Sequence, residues 1–449
     1  MAVWSLLGLI VFCLVILALL FFTAVSLREK ERRAAARGGM IAAALGTGLL
    51  VLILFPTAIR DVALIVFLSV FTLAVAFVMI SHRPRSPLRE RGSPERIDER
   101  NIVFARFDLQ EGSPQYAAYY ARMQEYRAVD TEIRKLPDIL SSSHLLKEPA
   151  LFSLADAEFE LLEHLLVTVD GPVRPIREKQ STEDNTRMIK EVVRYLGADL
   201  CGVCELDPAF VYSHVGRGPE PYGMEIDLNH AFAVVFAVQM DFSMIAAAPK
   251  APVIVETAKQ YLAAARIATV TAGMIRRLGF PARAHMAGSN YAAVVPPLAW
   301  KAGLGELGRI GILLTEEFGP RVRLGLVTTD LPLNVNQQVV FGVQDFCERC
   351  KKCSDNCPSS AIPEGERQLH NGTERWVIDR EACYRYWRKA GTDCARCIFV
   401  CPYSKPPTPF HNAVRWAASR SSRAQILAVR ADDLFYGRHP KPHAPPFSR

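Results

Sequence analysis

The sequence predicts membrane-spanning helices at its start, a core of mixed helix and strand (α/β or α+β) in its middle, and a small cysteine-rich module towards its end. Three observations carry that order. Long apolar stretches without charge are confined to the first 80 residues, helical and extended patterns alternate through the middle, and eight of the eleven cysteines fall between Cys347 and Cys401. The boundaries read as membrane helices over 1–81, a linker over 82–100, the core over 101–340, the cysteine-rich module over 341–405 and a C-terminal extension over 406–449.

Residues 1–27, 38–59 and 62–80 carry no charged side chain. Each stretch is close to or above the roughly 20 residues that cross about 30 Å of hydrocarbon as a helix. Arg60 and Asp61 separate the second stretch from the third, which predicts a hairpin there. A cleaved signal peptide is the competing reading, but MAVWSLL lacks the positive start that a signal needs. The Arg32-Arg33 pair follows the first span instead of preceding one. Arg28, Lys30, Arg32, Arg33 and Arg37 come after the first span, and Arg83, Arg85, Arg89, Arg91, Arg96 and Arg100 after the third. Positive segments stay on the cytoplasmic side. Three spans place both segments on that side. The N-terminus is then expected outside, and everything after residue 81 in the cytosol, on a multi-pass protein of the cytoplasmic (inner) membrane. Much of the net charge of +7 lies in these segments beside anionic lipid, so membrane lipid accounts for it and no nucleic acid partner is expected.

Residues 83–100 (RPRSPLRERGSPERIDER) are rich in Pro, Arg and Ser and show no apolar period. Residues 184–197 have a helical pattern stopped by Gly197. A short strand is expected over 198–204, and the apolar run 231–239 (AFAVVFAVQ) suits a buried strand. A long helix is expected over 253–278, an extended segment over 281–287, and short strands over 310–315 and 322–329. Strands interleaved with helices argue for a layered core. Cys201 and Cys204 make an isolated C-x2-C, readable as a redox pair or as two small apolar side chains on a buried strand.

The first cysteine run, CERCKKCSDNCP, holds Cys347, Cys350, Cys353 and Cys357. The second, CYRYWRKAGTDCARCIFVCP, holds Cys383, Cys394, Cys397 and Cys401. A [4Fe–4S] cluster needs four converging thiolates. C-x2-C-x2-C wraps one corner, and the cysteine before proline reaches across to a neighbouring cluster. That rule assigns Cys347, Cys350, Cys353 and Cys401 to cluster 1. Cluster 2 receives Cys357, Cys394 and Cys397, and Cys383 is the one nearby cysteine left to complete it. Zinc favours paired C-x2-C without a central third cysteine, and reducing cytosol disfavours disulfides. The module therefore reads as ferredoxin-like, with two [4Fe–4S] clusters. Such clusters conduct electrons. About 250 residues of core ahead of them leave room for a second cofactor.

Several phrases resemble one family. They are ADLCGVCELDPAFVYS at 198–213, YLAAARIATVTAGMIRRLGFPARAH at 261–285 and AGLGELGRIGILLTEEFGPRVRLGLVTTDLPL at 302–333, together with both cysteine runs. The resemblance is to the corrinoid iron–sulfur reductive dehalogenases and covers roughly residues 100–410. The related epoxyqueuosine reductases are the near neighbour. The resemblance implies an oxidoreductase whose core binds cobalamin base-off, and which replaces halogen by hydrogen on a small organohalide. It also implies a tyrosine as proton donor with a basic partner, and here Tyr261 and Arg323 match best. The chemistry asks for such a pair. A phenol near its reference pKa of about 10 is a poor acid at neutral pH, and a fixed guanidinium stabilises the phenolate. Tyr291 competes for the first role and Arg321 for the second. Asn290 and His285 are candidate contacts to corrin or substrate. Gly303, Gly305 and Gly308 would let backbone approach a flat cofactor.

The chain departs from the family's respiratory members, which usually begin with a twin-arginine export signal. Three spans without that signal imply a built-in anchor, a site facing the cytosol, and a catabolic or detoxifying role. No flavin or further ferredoxin domain follows the clusters, so electrons are expected from a separate donor: a ferredoxin, a reductase or the quinol pool. No D-x-H-x2-G motif offers a histidine to cobalt. Two other classes remain open: a cobalamin reductase of the epoxyqueuosine type, and a membrane-bound iron–sulfur electron-transfer subunit without corrinoid.

Overall fold

A computed structural model describes residues 2–80, 87–144, 146–287, 291–444 and 447. The chain opens with three apolar helices, α1 (Ala2–Arg28), α2 (Arg32–Ile53) and α3 (Thr57–Met79), each long and apolar enough to cross a membrane. α1 packs on both others. At Gly8 an added Cβ would come within 2.4 Å of the Leu64 carbonyl oxygen, so only glycine permits that approach of α1 to α3. The break between α2 and α3 is set by Pro56 and not by the charge pair that the sequence suggests. Arg60 and Asp61, 3.7 Å apart, lie in the first turns of α3.

Four helices that the sequence left unassigned follow: α4 (Val103–Asp108), α5 (Pro114–Arg122), α6 (Gln124–Arg134) and α7 (Pro149–His164). Ser113 caps α5, accepting a hydrogen bond from the Tyr116 amide, with Pro114 in the first turn. α8 (Thr182–Tyr195) leads to β2 (Leu200–Glu205), β3 (Phe232–Gln239), α9 (Phe242–Ile245), α10 (Pro252–Arg277), β4 (Ala282–His285), α11 (Val295–Lys301), β5 (Glu306–Leu307), β6 (Leu313–Leu314) and β7 (Val322–Thr329). The strand expected over 310–315 shrinks to the two residues of β6. It pairs only with β5 in a two-stranded ribbon.

The central sheet has the order β2-β3-β7-β4 and every pairing is antiparallel. The core is thus of the α+β kind, because an apolar run fixes a strand but not its direction. β3 is buried on both faces, which explains its unbroken apolar sequence. Val234, Phe236 and Val238 pack with α8 and α10, while Ala233, Val235 and Ala237 pack with α11.

The cysteine module contains α12 (Val343–Cys350), α13 (Lys352–Asp355), the hairpin β8 (Gln368–His370) and β9 (Thr373–Arg375), α14 (Arg380–Ala390) and α15 (Arg396–Val400). The hairpin turns on Asn371-Gly372, both with positive φ. The sequence reads residues 82–100 as a linker, yet Arg89–Glu90 form β1 on the edge of β9. Arg96 also donates to the carbonyls of Tyr212 at 2.8 Å and Ile226 at 2.6 Å. A stretch without apolar period is held here by backbone pairing and an arginine. Two helices close the chain, α16 (Pro409–Ala418) and α17 (Ser422–Phe435). The chain forms two compact units: residues 1–85 with 407–441, and residues 86–406 with 442–449.

Candidate functional site

α10 carries Thr257 and Tyr261 one turn apart, so both side chains share a face. Arg323 is the second residue of β7, opposite Val238 of β3. The Arg323 guanidinium lies 4.8 Å from the centre of the Tyr261 ring, a cation–π distance. Its Nη2 donates to Thr257 Oγ1 at 2.5 Å and to Asp393 Oδ2 at 2.8 Å. Burial alone would loosen the Arg323 proton, but Tyr261 and Asp393 outweigh it and hold the guanidinium above its usual value. This is a permanently charged group beside a phenol. Among the described residues, the buried Arg323 Nε and Asp393 Oδ1 have no hydrogen-bond partner. Neither Thr257 nor Asp393 was singled out from the sequence. A threonine four residues before Tyr261, and an acid directly before Cys394, were the available signals.

Tyr291 donates its hydroxyl proton to the Leu324 carbonyl at 2.9 Å. Burial, reinforced by Tyr261, pushes its phenol well above the usual range. Its proton is therefore committed to the backbone. Tyr291 lines an open cleft shared with Arg217, Glu220, Leu228 and Arg283. Arg321 is fully buried. Its Nε donates to the Ser404 carbonyl at 2.7 Å and its Nη1 donates to the Met240 carbonyl. The rival for the basic role thus ties β7 to the backbone at Ser404 and at Met240, inside the core.

The expected cofactor contacts divide. His285 is fully buried, with Nδ1 accepting from the Ala292 amide at 3.3 Å and Nε2 donating to Thr328 Oγ1 at 2.9 Å. Burial holds its ring well below the usual imidazole range. Both ring nitrogens are used inside the core, so none is left for a corrin. Asn290 lies outside the described residues. The three glycines make close approaches to protein, not to open space. An added Cβ would meet the Gln337 carbonyl oxygen at 2.4 Å from Gly303, the Leu314 carbonyl oxygen at 2.1 Å from Gly305, and Leu314 Cδ1 at 2.5 Å from Gly308. Cys201 and Cys204 stand three apart on β2 and so face opposite sides of the sheet. Burial pushes both thiols up to about 12, which marks small apolar side chains and not a redox pair.

The eight module cysteines fall into two nests. Cys401 is crowded by Cys347, Cys350 and Cys353, whereas Cys394 is crowded by Cys383 and Cys357. Cys397 meets Cys394, Cys383 and Cys357, and also Cys353, as adjoining nests would require. Burial pushes Cys347 and Cys383 up to about 11 and Cys394 up to about 12. Several crowded, buried thiols can be ionised together when a cationic metal centre binds them. No three His, Cys, Asp or Glu among the described residues stand together as ligands of a single ion. Two adjoining four-cysteine nests match the two-cluster spacing of the sequence, and a zinc site would not call for the central third cysteine. Lys351, Cys394 and Ala395 take positive φ, bending the chain so that consecutive cysteines converge. Two arginines accompany the nests, Arg309 buried and Arg396 half-buried. Arg309 donates to the Cys347 carbonyl at 3.1 Å and lies 4.5 Å from the Trp376 ring centre, and Arg396 borders Cys394.

Fold and site define an iron–sulfur oxidoreductase framework: two four-cysteine nests, the second joined through Asp393 to a tyrosine–arginine pair. A family model described as a 4Fe-4S dicluster domain matches residues 346–405. The chain is similar in sequence to the tetrachloroethene reductive dehalogenase of Desulfitobacterium hafniense, 31% identical over 303 residues, 57% of this chain and 54% of the relative. It is 33% identical over 132 residues to the epoxyqueuosine reductase of Lactococcus garvieae, covering 26% of this chain and 35% of that one. Among solved structures it is similar to the catabolic reductive dehalogenase NpRdhA, with a TM-score of 0.65 and 26% identity over 80% of this chain and 49% of that one. That protein has also been solved in complex with 3-bromo-4-hydroxybenzoic acid. In sequence and in fold, then, the resemblance is to the reductive dehalogenases. The chain spans about half the length of these dehalogenase relatives.

Proposed function

We propose that this chain is a membrane-anchored reductive dehalogenase, which replaces halogen by hydrogen on a small organohalide. Its cofactors are a cobalamin, held base-off, and two [4Fe–4S] clusters. The observation that carries the reading is the chain of contacts Tyr261, Arg323, Asp393. Asp393 directly precedes Cys394, a cluster 2 ligand, so a proton-donating group and an electron path meet in one place.

A bound low-valent cobalamin supplies a strong nucleophile and reductant for a carbon–halogen bond. The cleft beside Tyr291 mixes apolar Leu228 with Arg217, Glu220 and Arg283, a lining that would suit the apolar face and polar edge of a corrin, although Arg283 is paired with Glu220 and Arg217 with Glu99. Reduction of the bond takes two electrons and one proton and releases halide. Tyr261 gives that proton to carbon, and Arg323 steadies the phenolate left behind. Asp393 and Thr257 hold Arg323 against the tyrosine ring. Electrons come from a separate donor, a ferredoxin, a reductase or the quinol pool, through the two clusters. The three apolar helices keep the enzyme in the cytoplasmic membrane, with the site on the cytosolic side.

Halide release tests this. The full chain, loaded with iron–sulfur clusters and cobalamin and supplied with a strong chemical reductant, should free chloride from tetrachloroethene or bromide from 3-bromo-4-hydroxybenzoate. No halide from a broad organohalide panel, with both cofactors verified by absorption, would sink the proposal. A protein that takes up clusters but no corrinoid would be an electron-transfer subunit instead.

A further inference from the structure

The closing helices α16 and α17 belong to the same compact unit as the apolar helices. They cover one end of that bundle. Phe22, near the end of α1, packs against Phe410, tilted, and Phe435, edge-on, with ring centres 4.7 and 4.9 Å apart. His411 Nε2 lies 3.3 Å from Glu29 just beyond α1. Arg37, in the first turns of α2, donates to the Leu434 carbonyl. Arg423 donates to the Phe77 carbonyl at the end of α3 at 2.7 Å and stacks over that ring at 3.8 Å. Three helices running alternately bring the end of α1, the start of α2 and the end of α3 to one side, and that side is where the pair docks.

The outer face of the pair is unusual for water. Trp416 is 51% exposed, Leu427 48% and Leu434 49%, with Val414 and Ile426 also exposed. Basic residues are interleaved with them. Arg420 stacks on Trp416 at 4.5 Å, and Arg430 is exposed between Leu427 and Leu434 on the same side of α17. Over 407–441 there are Arg415, Arg420, Arg423, Arg430, Arg438 and Lys441 against Asp432 and Asp433. At 10 and 14 residues the two helices are too short to cross a bilayer. An apolar face edged with tryptophan and arginine is the composition of a helix lying at the headgroup level.

We infer that α16 and α17 form an interfacial clasp, seated in the headgroup layer of anionic lipid where the three spans leave the membrane. The inference rests on the reading of α1–α3 as membrane spans and goes beyond it. The occupant is the lipid surface: the apolar face continues the bundle's own lipid-facing surface, and the net positive charge matches anionic headgroups.

Two tryptophans separate the spans from the clasp: Trp4 on α1, 61% exposed, and Trp416 on α16. Full-length protein in nanodiscs of brominated phosphatidylcholine would be compared with its Trp4→Phe and Trp416→Phe variants. Each substitution should remove its own share of the lipid quenching. In the Trp4→Phe background, Trp416 quenching should rise when phosphatidylglycerol is added, and fall when Arg420 and Arg430 are both changed to Gln. Quenching from Trp4 without any from Trp416 overturns the clasp and leaves the spans standing. Quenching from neither overturns both. Trp416 quenching indifferent to anionic lipid and to the two arginines overturns the electrostatic part. An emission shift that follows the number of chains per disc assigns the face to a second copy, and also overturns the proposal.

Discussion

Tyr261 differs from Tyr291 by what holds its proton. The Tyr291 hydroxyl is spent on the Leu324 carbonyl, whereas the Tyr261 ring meets the Arg323 cation through its face. Tyr261→Phe keeps that face and deletes only the hydroxyl. Iron and corrinoid contents should be unchanged, and halide release should fall by about 10²-fold or more, the scale of a lost general acid. Turnover at the parent rate with full cofactors would rule Tyr261 out. Arg321, the rival named from the sequence, should act on stability, because it is fully buried, and the substitution to test is Arg321→Leu. The substitution leaves buried carbonyls of Ser404 and Met240 without their donor, at about 1–3 kcal/mol each. It should lower the melting temperature and yield of folded protein, where Arg323→Leu lowers turnover with cofactors retained. His285 makes a pH prediction. Its imidazole stays neutral when folded but takes a proton when unfolded, below a pKa of about 6.5. Its contribution is therefore present above that value and declines as pH falls towards the depressed folded value, by about 1.4 kcal/mol per pH unit. Thermal melts from pH 7 to 5 should show this slope, and His285→Gln should flatten it. Of these residues, Tyr261 and Arg323 were legible through the resemblance of their neighbouring phrases. Thr257 and Asp393, 136 residues apart, were not, because only packing of α10 against the cysteine module brings them together.

At the scale of elements, the cysteine spacing carried most information. Ligand grouping follows from short local wraps plus two crossings, and the crowding of Cys401 and Cys383 shows which nest each joins. Cys383 sits on α14, apart from the tight loop around Cys394 and Cys397. Its replacement by Ala should leave cluster 1 in place while cluster 2 is lost or converted. Iron should drop from about eight per chain towards four, and reduced-state electron paramagnetic resonance should lose one of two signals. Full iron with both signals intact would remove Cys383 from the ligand set. Strand β3 and helix α10 were legible because each is long and strongly patterned. The two-residue strands β1 and β5 were not, and the strand expected over 310–315 shrank to β6, since such short pairings are set by tertiary contact and leave no period. The break at Pro56 was on the page, but the neighbouring charge pair drew the boundary four residues late.

At the scale of the whole molecule, the open question is which compartment the site serves. Charge settles the expectation. The segment 28–37 and the residues from Arg83 to Arg100 are Arg-rich, and an odd number of spans puts both on one side. The 407–441 segment adds six basic residues against two acidic ones to the same end of the bundle. Within this unit the 28–37 and 407–441 segments lie at one end, and with the arginines that follow the third span in sequence they strengthen the cytoplasmic expectation, because the bias sums over residues near the membrane. The role of the 407–441 segment was invisible in the sequence, where it read as a plain extension. A fluorescent reporter that matures only in the cytosol, fused after Arg449, should be bright in cells. An alkaline phosphatase fusion at that point should be inactive. Shifting the balance should disturb this order. Changing Arg28, Lys30, Arg32, Arg33 and Arg37 to Gln removes one basic segment, and should yield a mixed population in the phosphatase assay. Full phosphatase activity from the unaltered chain would put the C-terminus outside. Both the span count and the cytosolic site would then fall, while the cysteine nests and the Tyr261–Arg323 pair would stand, since they rest on contacts within the other unit.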